Sequence, residues 1–177
     1  MKAITRGLGA LLRSHDRLAD LTYGLSILAV AAIALVTSLE VVMRYAFNAP
    51  LGWSGDSVMV ALSVLTFLAV PRITRENAHV AMTFAVDGAP PPVRVALARL
   101  GNAAGFAVCG ICGWYGADAA LQHYQTGVQM ITVTAWPKWW VTGTIAYGLL
   151  SAALYFLRHL LEAPRDAREH EWTGTYS

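Results

Sequence analysis

Four stretches of the chain are almost free of charge. The first runs from Leu21 to Leu39, between Asp20 and Glu40, and stays apolar through Val41, Val42 and Met43 to Arg44. The second begins near Trp53 and reaches Val70; it holds only Asp56, close to its start, and Pro71 and Arg72 mark its end. The third opens on Pro90, Pro91 and Pro92, where a proline suits the first helical position, and is charge-free from Leu100 to Ala117. The fourth lies between Lys138 and Arg158. A helix that crosses a bilayer satisfies its backbone internally and needs roughly 20 apolar residues. The pattern predicts an all-α integral membrane protein, one small bundle of four transmembrane helices over residues 21–161, with spans near 21–45, 54–71, 92–118 and 137–158.

The flanking segments read differently. Residues 1–20 mix Leu8, Leu11, Leu12 and Leu18 with Arg6, Arg13 and Arg17, which suits an amphipathic N-terminal helix lying on the membrane surface, with a frayed tail as the alternative. Val80 to Val86 is apolar but too short to cross, and is expected to lie along the inner surface. Residues 162–177 form a polar cytoplasmic tail. The first span is longer than a signal-peptide core and no small-x-small cleavage site follows it promptly, so it is read as retained.

Composition agrees with a membrane protein. Of 177 residues, 56% are hydrophobic and 14% charged, and the mean hydropathy is +0.47. A net charge of +2 supplies no basic excess for nucleic-acid phosphates. The positions of the basic residues say more than their number. Lys2, Arg6, Arg13 and Arg17 precede the first span, Arg72, Arg75, Arg94 and Arg99 lie between the second and third, and Arg158, Arg165 and Arg168 follow the fourth. Only Arg44 and Lys138 fall on the other side, and eleven against two places both termini in the cytoplasm. Tyr45, Trp53, Trp114, Tyr115, Trp136, Trp139 and Trp140 collect at the opposite, outer ends, as membrane-interface anchors do.

Few residues suggest chemistry. Cys109 and Cys112 form a C-x-x-C pair, but Cys109 lies about 15 Å along the helix from Arg99, at a depth where a thiolate is disfavoured, in a stretch that also holds Gly105, Gly110 and Gly113. Helix packing accounts for them. Glu40 and Arg44 are spaced i,i+4, either as an intrahelical pair or as a contact with a partner protein. Ser54 is placed to cap the second helix, with Asp56 in its first turn and Trp53 and Val58 as a hydrophobic staple; a partner contact is the other reading of this group. His79 follows Arg75, Glu76 and Asn77 at the inner end of the second span, as an interfacial polar residue or a specific contact. His123 has no metal-ligand partner at useful spacing, and the five histidines offer no haem-binding pair. The spans carry only Ser26, Thr37, Ser63, Thr66, Thr142 and Thr144 as polar groups, too few for the midplane cation site of a transporter. No cofactor is expected in this chain.

One resemblance runs along most of the chain, from the first span to Leu161. Arg44-Tyr45 then Phe47-Asn48, Trp53 with Asp56 three residues on, Arg75-Glu76-Asn77-Ala78-His79-Val80 after the second helix, and Pro137-Lys138-Trp139 with Gly148 resemble the small membrane subunit of TRAP (tripartite ATP-independent periplasmic) transporters. The resemblance implies a four-helix subunit of the bacterial inner membrane. Its partners would be a large membrane subunit holding the sodium and substrate sites and a periplasmic binding protein delivering an organic acid such as a dicarboxylate or sialic acid. Glu40, Arg44, Trp53, Asp56 and His79 are then candidate partner-facing residues. Two other classes stay open: a four-helix thiol oxidoreductase of the disulfide-forming type, which would need a second cysteine pair, and a self-sufficient homo-oligomeric channel, which would need a polar stripe.

Overall fold

A computed structural model describes residues 2–76 and 91–161, which form four α-helices: α1 (Lys2–Ala46), α2 (Ser54–Arg75), α3 (Pro91–Thr126) and α4 (Lys138–Leu161). Each contains a stretch long and apolar enough to cross a membrane, as the charge-free runs predict. The hydroxyls within these stretches are spent locally. Ser63 donates to the Met59 carbonyl, Thr66 to Leu62, Thr142 to Lys138 and Thr144 to Val141, which hides polar groups inside their own helices.

All four helices overrun their predicted bounds, the last by three residues to Leu161. α1 is continuous from Lys2, so residues 2–20 and the first span are one element with no break at Asp20. Pro71 does not stop α2, which continues to Arg75. Proline removes one helical donor, here the amide that would serve the Phe67 carbonyl four residues earlier, and such a loss is tolerated in a membrane helix when a neighbour covers it. Pro71 is fully buried against its neighbours. α3 runs on to Thr126, twelve positions past Trp114 or roughly 18 Å of helix, so Trp114 and Tyr115 lie far from the end at which the aromatic pattern places them.

The helices do not close into a bundle. α1 packs on α2, α2 on α4 and α4 on α3, while α1 and α3 make no backbone approach, giving an open row in the order α1, α2, α4, α3. Small residues set the close crossings. A Cβ on Gly105 or Gly113 of α3 would come within 2.9 Å of Phe156 or Leu150 of α4, and a Cβ on Gly148 of α4 would overlap the Phe67 carbonyl oxygen of α2. The core is accordingly concentrated on α4, with Ala146, Ala152, Ala153, Tyr155 and Phe156 buried. The outer helices are nearly bare: 6% of the apolar window is buried in α1 and in α3, against 39% in α4.

Candidate partner interface

Polar side chains gather at the two ends of the row. At the loop end, residues 128–137 fold back as a small hairpin. Gln129 bridges to Pro137, the Met130 amide donates to the Trp136 carbonyl at 2.9 Å and the Lys138 amide to the Val128 carbonyl at 3.2 Å. The Asp56 carboxylate, in the first turn of α2, accepts from the Val133 amide at 2.7 Å and the Thr134 amide at 3.4 Å. Asp56 thus ties two chain connections together, and the capping arrangement is different from that predicted. Trp53 takes the N-cap position with no side-chain cap bond, and the Ser54 hydroxyl donates back to the Leu51 carbonyl at 2.8 Å. The clamp leaves Ile131 and Val133 exposed at the hairpin tip, beside a half-covered Trp53.

Glu40 and Arg44 pair within α1, and Glu40 is mostly covered while Arg44 is exposed. Tyr45 is exposed at the end of the same helix. Trp136, Trp139 and Trp140 form a ring cluster with Tyr124, the Tyr124 and Trp139 centroids 5.5 Å apart and those of Trp136 and Trp140 6.1 Å apart. His123, from α3, faces the Thr142 hydroxyl of α4 at 3.2 Å, a helix-to-helix bond that spacing within the sequence does not reveal. Cys109 is half-buried, Cys112 exposed, and both are free thiols. Among the described residues no three His, Cys, Asp or Glu side chains gather as a metal site. His79, the 80–86 segment and the tail from 162 to 177 lie outside the described residues.

The opposite end holds a network that sequence reading missed. Asp20 of α1 accepts from Arg72 at 3.0 Å and from Arg75 at 2.8 Å, both of α2, and Arg72 also reaches Glu76 at 2.8 Å. Asp16, one turn away on α1, accepts from the Tyr155 hydroxyl of α4 at 2.9 Å and lies 3.4 Å from Arg158. His15 stacks at 4.7 Å on the Tyr155 ring, and Arg72 covers the Tyr23 ring at 4.9 Å. Arginines that read as an inner-rim charge bias are therefore also the ties between helices. A signal for this was present: two acids spaced i,i+4 on one helix and two arginines spaced i,i+3 on the next make matching faces.

The sequence model of the DctQ component of tripartite ATP-independent periplasmic transporters matches residues 33–166. The chain belongs to this family. It is a multi-pass membrane protein and the small membrane component of a transporter, in a family of transporter components rather than enzymes. The matched DctQ region contains the Asp56 clamp, Gly148, Tyr155 and Arg158, but begins after Asp16 and Asp20. No curated protein sequence matches the chain.

The clamp has a measurable worth. Asp56→Ala should remove a charged acceptor from two backbone amides and lower stability by about 1.5–3 kcal/mol, whereas Asp56→Asn keeps one acceptor oxygen and should lose less than half of that. Limited proteolysis of the 128–137 hairpin in detergent reads the difference. Equal cleavage of wild type and Asp56→Ala would show that the hairpin holds its shape unaided.

Proposed function

We propose that this DctQ-family chain is the accessory scaffold of a sodium-coupled, binding-protein-dependent importer of an organic acid, such as a dicarboxylate or sialic acid. It would sit in the bacterial inner membrane with both termini in the cytoplasm, joined to a large membrane subunit that carries the sodium and substrate sites. The observation that carries this reading is the open row itself. Asp16 and Asp20 tie α1 to α4 and α2 at one end and Asp56 ties α2 to the hairpin that precedes α4 at the other, while the flanks of the row remain uncovered. A stiff, one-helix-thick wall suits a part that stays still while another moves. The orientation is supported by the eleven-to-two distribution of basic residues. Glu40, Arg44, Trp53 and Asp56 lie at the loop end, the end a periplasmic binding protein would approach, and His79 is proposed as a contact on the cytoplasmic side.

Reconstitution tests the proposal. The chain alone in liposomes should give no sodium-driven uptake, and adding the large subunit and the binding protein should restore it. Uptake by the isolated chain would make it a self-sufficient carrier or channel instead. Alkaline phosphatase fused after Leu161 should be inactive, and an active fusion would invert the orientation.

A further inference from the structure

We propose that His15 is an acid-sensitive latch, which holds its end of α1 against α4 while neutral and releases it when protonated. The residue lies in the segment before the apolar run that opens at Leu21. Its ring stacks on the buried Tyr155 ring of α4 with centroids 4.7 Å apart. The Nε2 atom is sealed from solvent in this joint and meets no partner among the described residues. A bare imidazole nitrogen there leaves one acceptor unmet. Protonation instead puts an N–H and a positive charge in the joint with nothing to receive them, and the cost of an unmet group is larger when it is charged.

The surrounding charges do not offset this cost. On α1 itself Asp16 is adjacent, but its carboxylate already accepts from the Tyr155 hydroxyl at 2.9 Å and lies 3.4 Å from Arg158 of α4. Arg75 of α2 reaches the same place and donates to the Asp16 backbone carbonyl at 3.4 Å. His159, one turn beyond Tyr155 on α4, is a second titratable group at this end. Two guanidiniums from two helices therefore oppose a further positive charge. Burial pushes the His15 imidazole below its usual range, with Asp16 pulling it up and Arg158 pushing it down.

The joint can open without unfolding the row. The backbones of α1 and α4 do not approach, so side chains alone hold them together at this end. The ties from Asp20 to Arg72 and Arg75, which keep α1 on α2, involve no histidine. Once the joint opens, the imidazole regains its ordinary value near about 6.5. Well above that pH both forms are neutral and the latch has its full strength. As pH falls through that value the open form takes up the proton first. The ratio of open to closed then rises by up to about tenfold per pH unit, until the closed form is protonated as well.

The test uses the full chain in mild detergent, with Cys109 and Cys112 changed to Ala, and measures distances between paired spin labels from about pH 8 down to about pH 5. Labels on Arg13→Cys of α1 and Leu161→Cys of α4, both exposed positions, read the latch. Labels on Leu100→Cys of α3 and Leu161→Cys read the α3 and α4 pair at the same end, where Gly105 meets Phe156. With His15 in place, the first pair should show one short distance near pH 8 and a growing longer component below about pH 6.5, while the second pair holds. His15→Phe keeps a stacked ring that cannot take a proton and should stay short throughout. His15→Gln, smaller and equally unable to charge, should do the same, and His159→Phe should keep the transition. Thermal unfolding near pH 8 shows that the variants remain folded. A first-pair distance that ignores pH, or a transition that survives in both His15 variants, would overturn the latch. Loss of the transition in His159→Phe would also overturn it, by moving the switch to α4, and lengthening of both pairs together would reduce it to acid unfolding. The distances need no partner, so the result is independent of the uptake experiment.

Discussion

Gly148→Leu should abolish the packing of α4 on α2 and with it the folded row. Position 148 faces the Phe67 carbonyl oxygen, and an added Cβ would overlap that oxygen and press on the Phe67 side chain. Pro71 makes the spot special: lacking an N–H, it cannot serve the Phe67 carbonyl within α2, and α4 covers the exposed oxygen by coming close. Overpacking a core commonly costs about 1–3 kcal/mol, and this contact lies at the upper end or beyond because a backbone atom, unlike a side-chain tip, cannot swing away. Gly148→Ala gains back about 1 kcal/mol of helix propensity and should be the milder variant. Gly143→Leu is the comparison, five residues away on the same helix with open space around its Cβ. Thermal unfolding in detergent should rank wild type and Gly143→Leu together, Gly148→Ala below them and Gly148→Leu lowest. A Gly148→Leu protein as stable as wild type would mean that α2 and α4 cross less closely than described.

Asp16→Ala should loosen α1 from α4. The backbones of these two helices do not approach, so side chains alone connect them at this end. The Tyr155 side chain is almost fully buried, at 1% exposure, and losing the acceptor for its hydroxyl costs about 1–3 kcal/mol. The 3.4 Å contact with Arg158 adds little, because both groups are about a third exposed and such pairs are worth less than about 1 kcal/mol. Tyr155→Phe removes donor and need together and should be milder. The double variant decides the matter: Asp16→Ala on the Tyr155→Phe background should lose most of its effect. Fully additive losses would show that the two groups do not act through each other.

The architecture was largely legible from charge alone, because the cost of placing a charged side chain in hydrocarbon is a local property of each residue. Charge-free runs therefore marked the four helices, and the family motifs from Arg44 to Gly148 marked the class of protein. The bounds were less legible. Pro71 reads as a stop because proline breaks helices in water, yet the approach of Gly148 makes it an interior residue. The charge-free run also does not mark where α3 ends, and the helix carries on past Trp114 to Thr126.

Pairing was decided by the tertiary structure. Asp56 was visible as a candidate, but its partners are backbone amides 77 and 78 positions away, and an amide bears no mark of residue type. Asp16 meets a hydroxyl 139 positions away, and only the order α1, α2, α4, α3 brings the two together. That order also sets the four expected helices in an open row. Which helix neighbours which depends on where small residues allow close approach, and Gly105, Gly113 and Gly148 acquire that meaning only once the opposing Phe156, Leu150 and Phe67 are in place. The sequence by itself determined how many helices are apolar enough to cross, since solvation is local; the fold decided which side chains hold them and which faces stay open, since contact is not.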